Sequence, residues 1–305
     1  MIRLLLTGFA ALLGLVFGSF LNVCLTRWPE GESIVMPRSH CRHCGRTLAW
    51  WENVPLVSWL ALRGRCRTCK AEIGWRYPLV ELAVSGLWAA VAWRFLGWGF
   101  DPSLPANSAW SAFLSTIGEM LFCWLLVALA VLDAENLWLP NALTLPGAAL
   151  GFAFAVLNPI LEPNFDSVTL RPLTYSTEYL RIGLWRAALV QLFAILIAAG
   201  LVLLIRWTYW LIRKQEGMGL GDAKLMAMLA AWLGLSGALL SFVMAVCIGA
   251  AFAFVVLAQP RARRGAKSWA STPLPFGTFL CSAGIVSALW GRHIIDAYLR
   301  WSGLR

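Results

Sequence analysis

Long apolar runs separated by short polar or basic stretches dominate this chain. Eight can be marked, at 4–25, 78–99, 111–132, 142–161, 187–212, 223–236, 238–258 and 275–295. A helix crosses a bilayer with about 20 mostly apolar residues, and all but one of these runs approach or exceed that length. The exception, 223–236, is short, and Gly234 and Gly237 beside it predict a tight hairpin joining it to the following run. The expected fold is therefore an all-α polytopic membrane protein with about eight transmembrane helices. It divides into a first span at 1–26, a polar loop subdomain at 27–77 and a transmembrane core at 78–305. Composition agrees: of 305 residues 60% are hydrophobic and only 13% charged, with a mean hydropathy of +0.70, values outside the range of soluble domains. The opening "MIRLLLTGFAALLGLVFGSF" has the charge and apolar stretch of a signal peptide. It runs longer than a signal core and no A-x-A cleavage site follows, so it reads as a retained span.

The net charge of +10 is concentrated rather than scattered. The loop 27–76 carries nine Lys/Arg against Glu30, Glu32, Glu52 and Glu72, and the loop 259–272 carries Arg261, Arg263, Arg264 and Lys267 with no acid. The loop 213–222 with Lys224 is also net basic. By contrast, 101–110 has only Asp101, and 162–186 balances three acids with three arginines. In an eight-span chain the basic loops all fall on one side. The positive-inside rule makes that side cytoplasmic and places both termini outside. The excess charge thus records topology and suits anionic lipid headgroups, not nucleic acid.

The first basic loop contains two C-x-x-C pairs, Cys41 with Cys44 and Cys66 with Cys69, separated by 21 residues. Each pair offers two thiolates at the spacing of a zinc knuckle, and together they predict a closed four-cysteine zinc site with no open position for water. Two disulfides are the alternative, but a loop in the reducing cytoplasm disfavours them. So few aliphatic residues could hardly build a core, which leaves the metal to supply the folding energy. His40 and His43 are spare ligands. Cys24, Cys123, Cys247 and Cys281 lie in apolar runs and read as small buried residues.

Two carboxylates stand at the edge of the hydrophobic layer. Asp133 closes an apolar run of thirteen residues at the end of the third span, and Asp222 follows Gly217, Gly219 and Gly221 at the entry to the sixth. Both fall at the cytoplasmic boundary, where a carboxylate is costly unless paired, hydrated or functional. The glycines let the backbone turn tightly and approach a neighbour. Two such acids brought together share one proton; the charged one can activate water while the protonated one polarises a carbonyl. Paired acids among spans also mark proton-coupled transporters, and Asp222 could simply cap its helix, with Lys224 reaching to headgroups. "GMGLGD" is neither a dinucleotide fingerprint nor a phosphate loop.

Several stretches resemble the bacterial type IV prepilin peptidases, also called leader peptidase/N-methyltransferases. They are "GSFLNVCLTRWP" (18–29), the two C-x-x-C pairs, "NVPLVSWLALRGRC" (53–66), "RYPLVELA" (76–83), "LDAENLWLPNALTLP" (132–146) and "GMGLGDAKLMAMLAAWLG" (217–234). The resemblance runs in order over nearly the whole chain. It implies that Asp133 and Asp222 are the catalytic pair of a G-x-G-D intramembrane aspartic peptidase in the bacterial inner membrane. It implies type IV prepilins and type II secretion pseudopilins as substrates, cut on the cytoplasmic side, and N-methylation of the new terminus by S-adenosylmethionine. Asn141 stands where the family often has Asp, and the loop 158–186 looks like an extracytoplasmic insertion. No cofactor fold is visible in the sequence. Glu81, an acid of the second span near the zinc loop, could contribute to a methyl-donor site, or it pairs with Arg94 or another span. Glu119, in mid-span, has no role that can be derived. A peptidase without the transferase activity remains the nearest alternative.

Overall fold

The structure is a computed structural model that describes residues 2–98, 106–161, 184–215, 218–258 and 274–303. Of the loops expected to lie outside, residues 101–105 and 162–183 fall beyond these residues, as do the basic loop 259–272 and Gly217. The described elements are helical, with two isolated β-bridges. The chain forms two compact units, Met1–Leu104 and Pro105–Arg305.

The first unit is a helix pair carrying a folded loop. Helix α1 (Ile2–Arg27) packs along α3 (Arg76–Trp98), and the short helix α2 (Val57–Ala61) lies in the loop between them. Gly14 and Gly18 explain the close approach. A Cβ at either position would lie 2.7 Å from an α3 backbone atom, Ser85 Cα or Glu81 Cα respectively. In lipid there is little hydrophobic drive between helices, so small residues at a four-residue spacing permit the backbone contact that replaces it. Ser85 Oγ adds a hydrogen bond to the Ala11 carbonyl at 2.9 Å. The other faces of α1 expose Leu5, Phe9, Leu12 and Val16, a surface suited to acyl chains.

The second unit wraps α4 (Ala106–Asn136), α5 (Asn141–Leu161), α6 (Leu184–Arg213) and α8 (Phe276–Trp301) around α7 (Leu220–Ala258). Helix α7 is broken at Gly234, whose φ of 70° and ψ of 179° are open only to glycine. Before the break α7 runs alongside α8 in the same direction, with Leu229 against Gly284; after it, Gly249 lies back against Phe279. The chain therefore doubles back as the glycines predicted, since 39 residues of straight helix would span roughly 58 Å. The segment before the break is apolar all round and buried, with Leu225, Met226, Met228 and Leu229 inaccessible to solvent. Its shortness in sequence reflects this central position. Trp232 stacks on Phe122 and Phe154 and donates to the Gly147 carbonyl at 2.8 Å. The last carbonyls before a helix break lose their usual donors, and buried Gln191 from α6 restores two of them. Its Nε2 lies 2.8 Å from both the Ala230 and the Ala231 carbonyl oxygens.

Helices α1, α4, α6, α7 and α8 are long and apolar enough to cross a membrane. The number of crossings, expected as about eight, is not fixed by this measure, because α3 and α5 fall short of it and α7 contains two expected runs. One cysteine expectation fails. Cys24, Cys123 and Cys281 are buried, but Cys247 is exposed on the returning half of α7, where an apolar thiol is compatible with lipid.

Candidate active site and metal knot

Asp133 occupies the last turn of α4 and Asp222 the first turn of α7, at 6% and 8% exposure. Each is anchored through one oxygen. The Thr278 N–H donates to Asp133 Oδ2 at 2.7 Å, and the Thr278 hydroxyl lies 3.2 Å from the same oxygen and 3.0 Å from the Ala130 carbonyl oxygen. Thr278 belongs to the first turn of α8, and Pro275, the residue preceding that helix, supplies no side-chain cap. Asp133 therefore provides, from another helix, the acceptor that the amino end of α8 lacks, at its positive dipole end. Asp222 Oδ2 accepts from the Gly219 N–H at 3.1 Å. This is the reach-back half of a capping box, so the capping role foreseen for Asp222 is realised.

Glycine is required around both acids. A Cβ at Gly277 would sit 2.9 Å from the Asp133 carboxyl carbon, and a Cβ at Gly221 would sit 3.0 Å from Leu139 Cβ. The Leu139 side chain touches both glycine positions and so links the end of α4 to the starts of α7 and α8. Asp133 and Asp222 lie within electrostatic reach of one another, and both act on Cys281, buried beneath them. Two acids 89 positions apart thus converge at one end of the helix bundle, and the Gly277 N–H adds to the donors that face Asp133. Lys224 does not reach outward as expected: its Nζ donates to Asn141 Oδ1 at 2.6 Å, tying α7 to the start of α5. Glu119 is buried in α4.

In the other unit the four loop cysteines come together, with their Sγ atoms all within 4.8 Å of one another. Cys41 Sγ and Cys69 Sγ are 3.8 Å apart, too far for a disulfide. They match the edge of a tetrahedron with metal–sulfur bonds of about 2.3 Å, which is about 3.8 Å. The two knuckles share one backbone plan. The N–H groups of Gly45 and Lys70 donate to the Cys41 and Cys66 carbonyls, and both Gly45 and Lys70, each just past its second cysteine, have left-handed φ. The N–H groups of Cys69 and Thr68 hold the Cys66 thiol down to about 6, while burial and the neighbouring thiols push Cys69 up to about 11. His40 and His43 stand outside the four-sulfur cluster. Beside the knot, Arg46 lies 2.6 Å from buried Glu52 and holds its carboxyl below the usual range. Glu81 does not pair with Arg94; its Oε2 accepts from the Leu56 N–H at 2.8 Å.

Sequence reasoning passed over Thr278, Leu139 and Gln191. Thr278 had one visible signal, a hydroxyl residue three positions past Pro275 at the start of an apolar run. The search for charged groups did not weigh it.

A helical membrane chain with two buried carboxylates meeting at helix ends, and a four-thiolate knot in its first loop, belongs to the class of polytopic membrane proteins with an aspartate pair. Comparison with known proteins names the family. The model of the bacterial peptidase A24 N-terminal domain matches residues 12–95, and that of the type IV leader peptidase family matches residues 120–254. A curated relative from Stutzerimonas stutzeri, named prepilin leader peptidase/N-methyltransferase, is 34% identical over 97% of this chain and 94% of its own length. Proteins of the same name from Pseudomonas aeruginosa and Xanthomonas campestris pv. campestris are 35% and 36% identical, over 96% and 97% of this chain and 93% and 95% of theirs. The chain belongs to the type IV leader peptidase family. No solved structure matched.

Proposed function

We propose that this chain cleaves the leader peptides of type IV prepilins and type II secretion pseudopilins and then N-methylates the exposed terminus. The observation that carries the peptidase reading is the convergence of Asp133 and Asp222, each buried and each held by backbone N–H through Oδ2. In the hydrolytic step the ionised member takes a proton from water as the water oxygen attacks the scissile carbonyl. The protonated member donates to the carbonyl oxygen. The tetrahedral intermediate then collapses, the C–N bond breaks, and the proton passes to the leaving amine. A Cβ at Gly219 would meet nothing closer than Asp222 Oδ2 at 3.5 Å, which leaves room for an extended substrate strand there, whereas Gly221 packs against Leu139. By the charge distribution, the acids and the thiolate knot face the cytoplasm, and the family resemblance supports the bacterial inner membrane as the location of the chain.

Zinc fits the knot on the sulfur spacing and the four-thiol donor set. Held by Cys41, Cys44, Cys66 and Cys69, it cross-links a loop with little core of its own. S-adenosylmethionine supplies the methyl group to the amine that cleavage exposes. A proton-coupled transporter fits less well, since such sites lie near the bilayer midplane and both acids here stand at helix ends.

The test is cleavage of a purified prepilin by Asp133→Asn and Asp222→Asn proteins in nanodiscs, with melting temperature and metal content as checks of folding. An amide keeps an acceptor for Thr278 or Gly219 but cannot take a proton from water. Each variant should lose essentially all activity, because the pair acts as a unit. Retention of more than about a tenth of the rate, a barrier change of only about 1.4 kcal/mol, refutes the pairing.

A further inference from the structure

The first unit encloses a cavity of about 360 Å³ between α1, the start of α3 and the knot loop. That is within the range, about 300–1,000 Å³, of small-molecule sites. Among the acid and amide side chains that line it, Glu52 and Glu72 are already paired with Arg46 and Arg65 and Asn53 is exposed, which leaves Asn22 and Glu81. Asn22, 2% exposed, spends its Nδ2 on the Tyr77 carbonyl at 2.9 Å and leaves Oδ1 without a partner. Glu81, 7% exposed, accepts from the Leu56 N–H and has no ion pair among the described residues. Trp59 adds an indole wall, fixed by its Nε1 bond to the Ile73 carbonyl at 3.1 Å and by Trp75 at 4.4 Å. Arg42 and Arg67 also line the cavity.

A buried carboxylate and a buried, unpartnered amide oxygen call for a ligand bearing positive charge and N–H donors. An indole wall takes a flat heteroaromatic ring or a cation, and arginines suit a carboxylate. S-adenosylmethionine combines a permanent sulfonium, an ammonium, a carboxylate and an adenine. We propose that this cavity is its binding site, with Glu81 facing the sulfonium, Asn22 accepting from the ligand, and Trp59 packing on the adenine. The assignment rests on the methyltransferase reading above. Gly18 belongs to the same design, because only its missing side chain lets α1 lie against the Glu81 backbone.

The charge on sulfur supplies a specific test. S-adenosylhomocysteine lacks the methyl group and with it the sulfonium charge, but is otherwise the same molecule. Calorimetric titration of the purified full-length protein with each ligand should show S-adenosylmethionine binding more tightly. Glu81→Gln should weaken S-adenosylmethionine about tenfold and S-adenosylhomocysteine at most about twofold, collapsing the preference. Trp59→Leu should weaken both ligands alike. Melting temperature and bound metal establish that each variant is folded, and hydrogen exchange at residues 56–59 and 77–81 should slow when ligand binds to the unmodified protein. If that protein binds S-adenosylmethionine but Glu81→Gln leaves the preference intact and these segments gain no protection, the location is wrong. If the unmodified protein binds neither ligand, the methyltransferase reading fails with it.

Discussion

Thr278 offers a graded test of how the carboxylate pair is held. Its hydroxyl has one proton and two acceptors in reach, the Ala130 carbonyl oxygen at 3.0 Å and Asp133 Oδ2 at 3.2 Å. Its backbone N–H, at 2.7 Å from the same Oδ2, is the shorter contact and does not depend on the side chain. Thr278→Val keeps the shape and the N–H and removes only the hydroxyl. A hydrogen bond to a charged group contributes about 1.5–3 kcal/mol, and one between neutral groups about 0.5–1.5. Because the nearer acceptor is the neutral carbonyl, the expected loss lies at the low end, about 1 kcal/mol, or about fivefold in rate. Thr278→Ser should cleave nearly as well as the unmodified protein. The assay is the rate of prepilin cleavage in nanodiscs below saturation. Methylation of a pilin supplied already trimmed, in the same preparation, is the internal standard, and it should not change. Cleavage by Thr278→Val at the full rate, or a Thr278→Ser defect as large as that of valine, refutes the idea that this hydroxyl helps to hold Asp133.

Other consequences can be measured in the same preparations. Gln191→Leu should lower stability by about 1–2 kcal/mol, two hydrogen bonds at the modest value measured inside membrane proteins; an unchanged melting temperature shows that the break at Gly234 needs no brace. Gly18→Leu should force α1 from α3 and abolish methylation of trimmed pilin, and full methylation by this variant contradicts the packing at 2.7 Å from Glu81 Cα. Cys69→Ser should lose bound metal and make the loop protease-sensitive, and elemental analysis showing one metal per chain as before removes the four-thiolate assignment.

The large features were legible because they follow from periodicity and spacing. Apolar runs marked every long helix, glycines marked the turn at residue 234, and two C-x-x-C pairs marked the sulfur cluster. The aspartates stood out because charge is expensive beside lipid. Their supports did not stand out. Thr278, Leu139 and Gln191 are ordinary members of apolar helices or their ends, and only packing shows which neighbour each serves. Lys224 illustrates the same limit from the other side. A cation at a helix start suggests headgroups, but Asn141, 83 positions away, receives its bond. Glu81 pairs with another span through the Ser19 hydroxyl of α1, not with Arg94, but its Leu56 donor is a backbone N–H in the loop, and backbone donors carry no residue signature.

The dependence of Asp133 on α8 also has a meaning in time. Both aspartates are synthesised before Thr278 leaves the ribosome, and the leader-peptidase match itself stops at residue 254, before α8 begins. Until α8 has inserted and docked, Asp133 Oδ2 has neither of its Thr278 donors. The amino end of α8, in turn, lacks the acceptor that Asp133 brings. The final described helix and the Asp133 carboxylate complete one another. The carboxylate pair is therefore fully held only once the last described helix has docked.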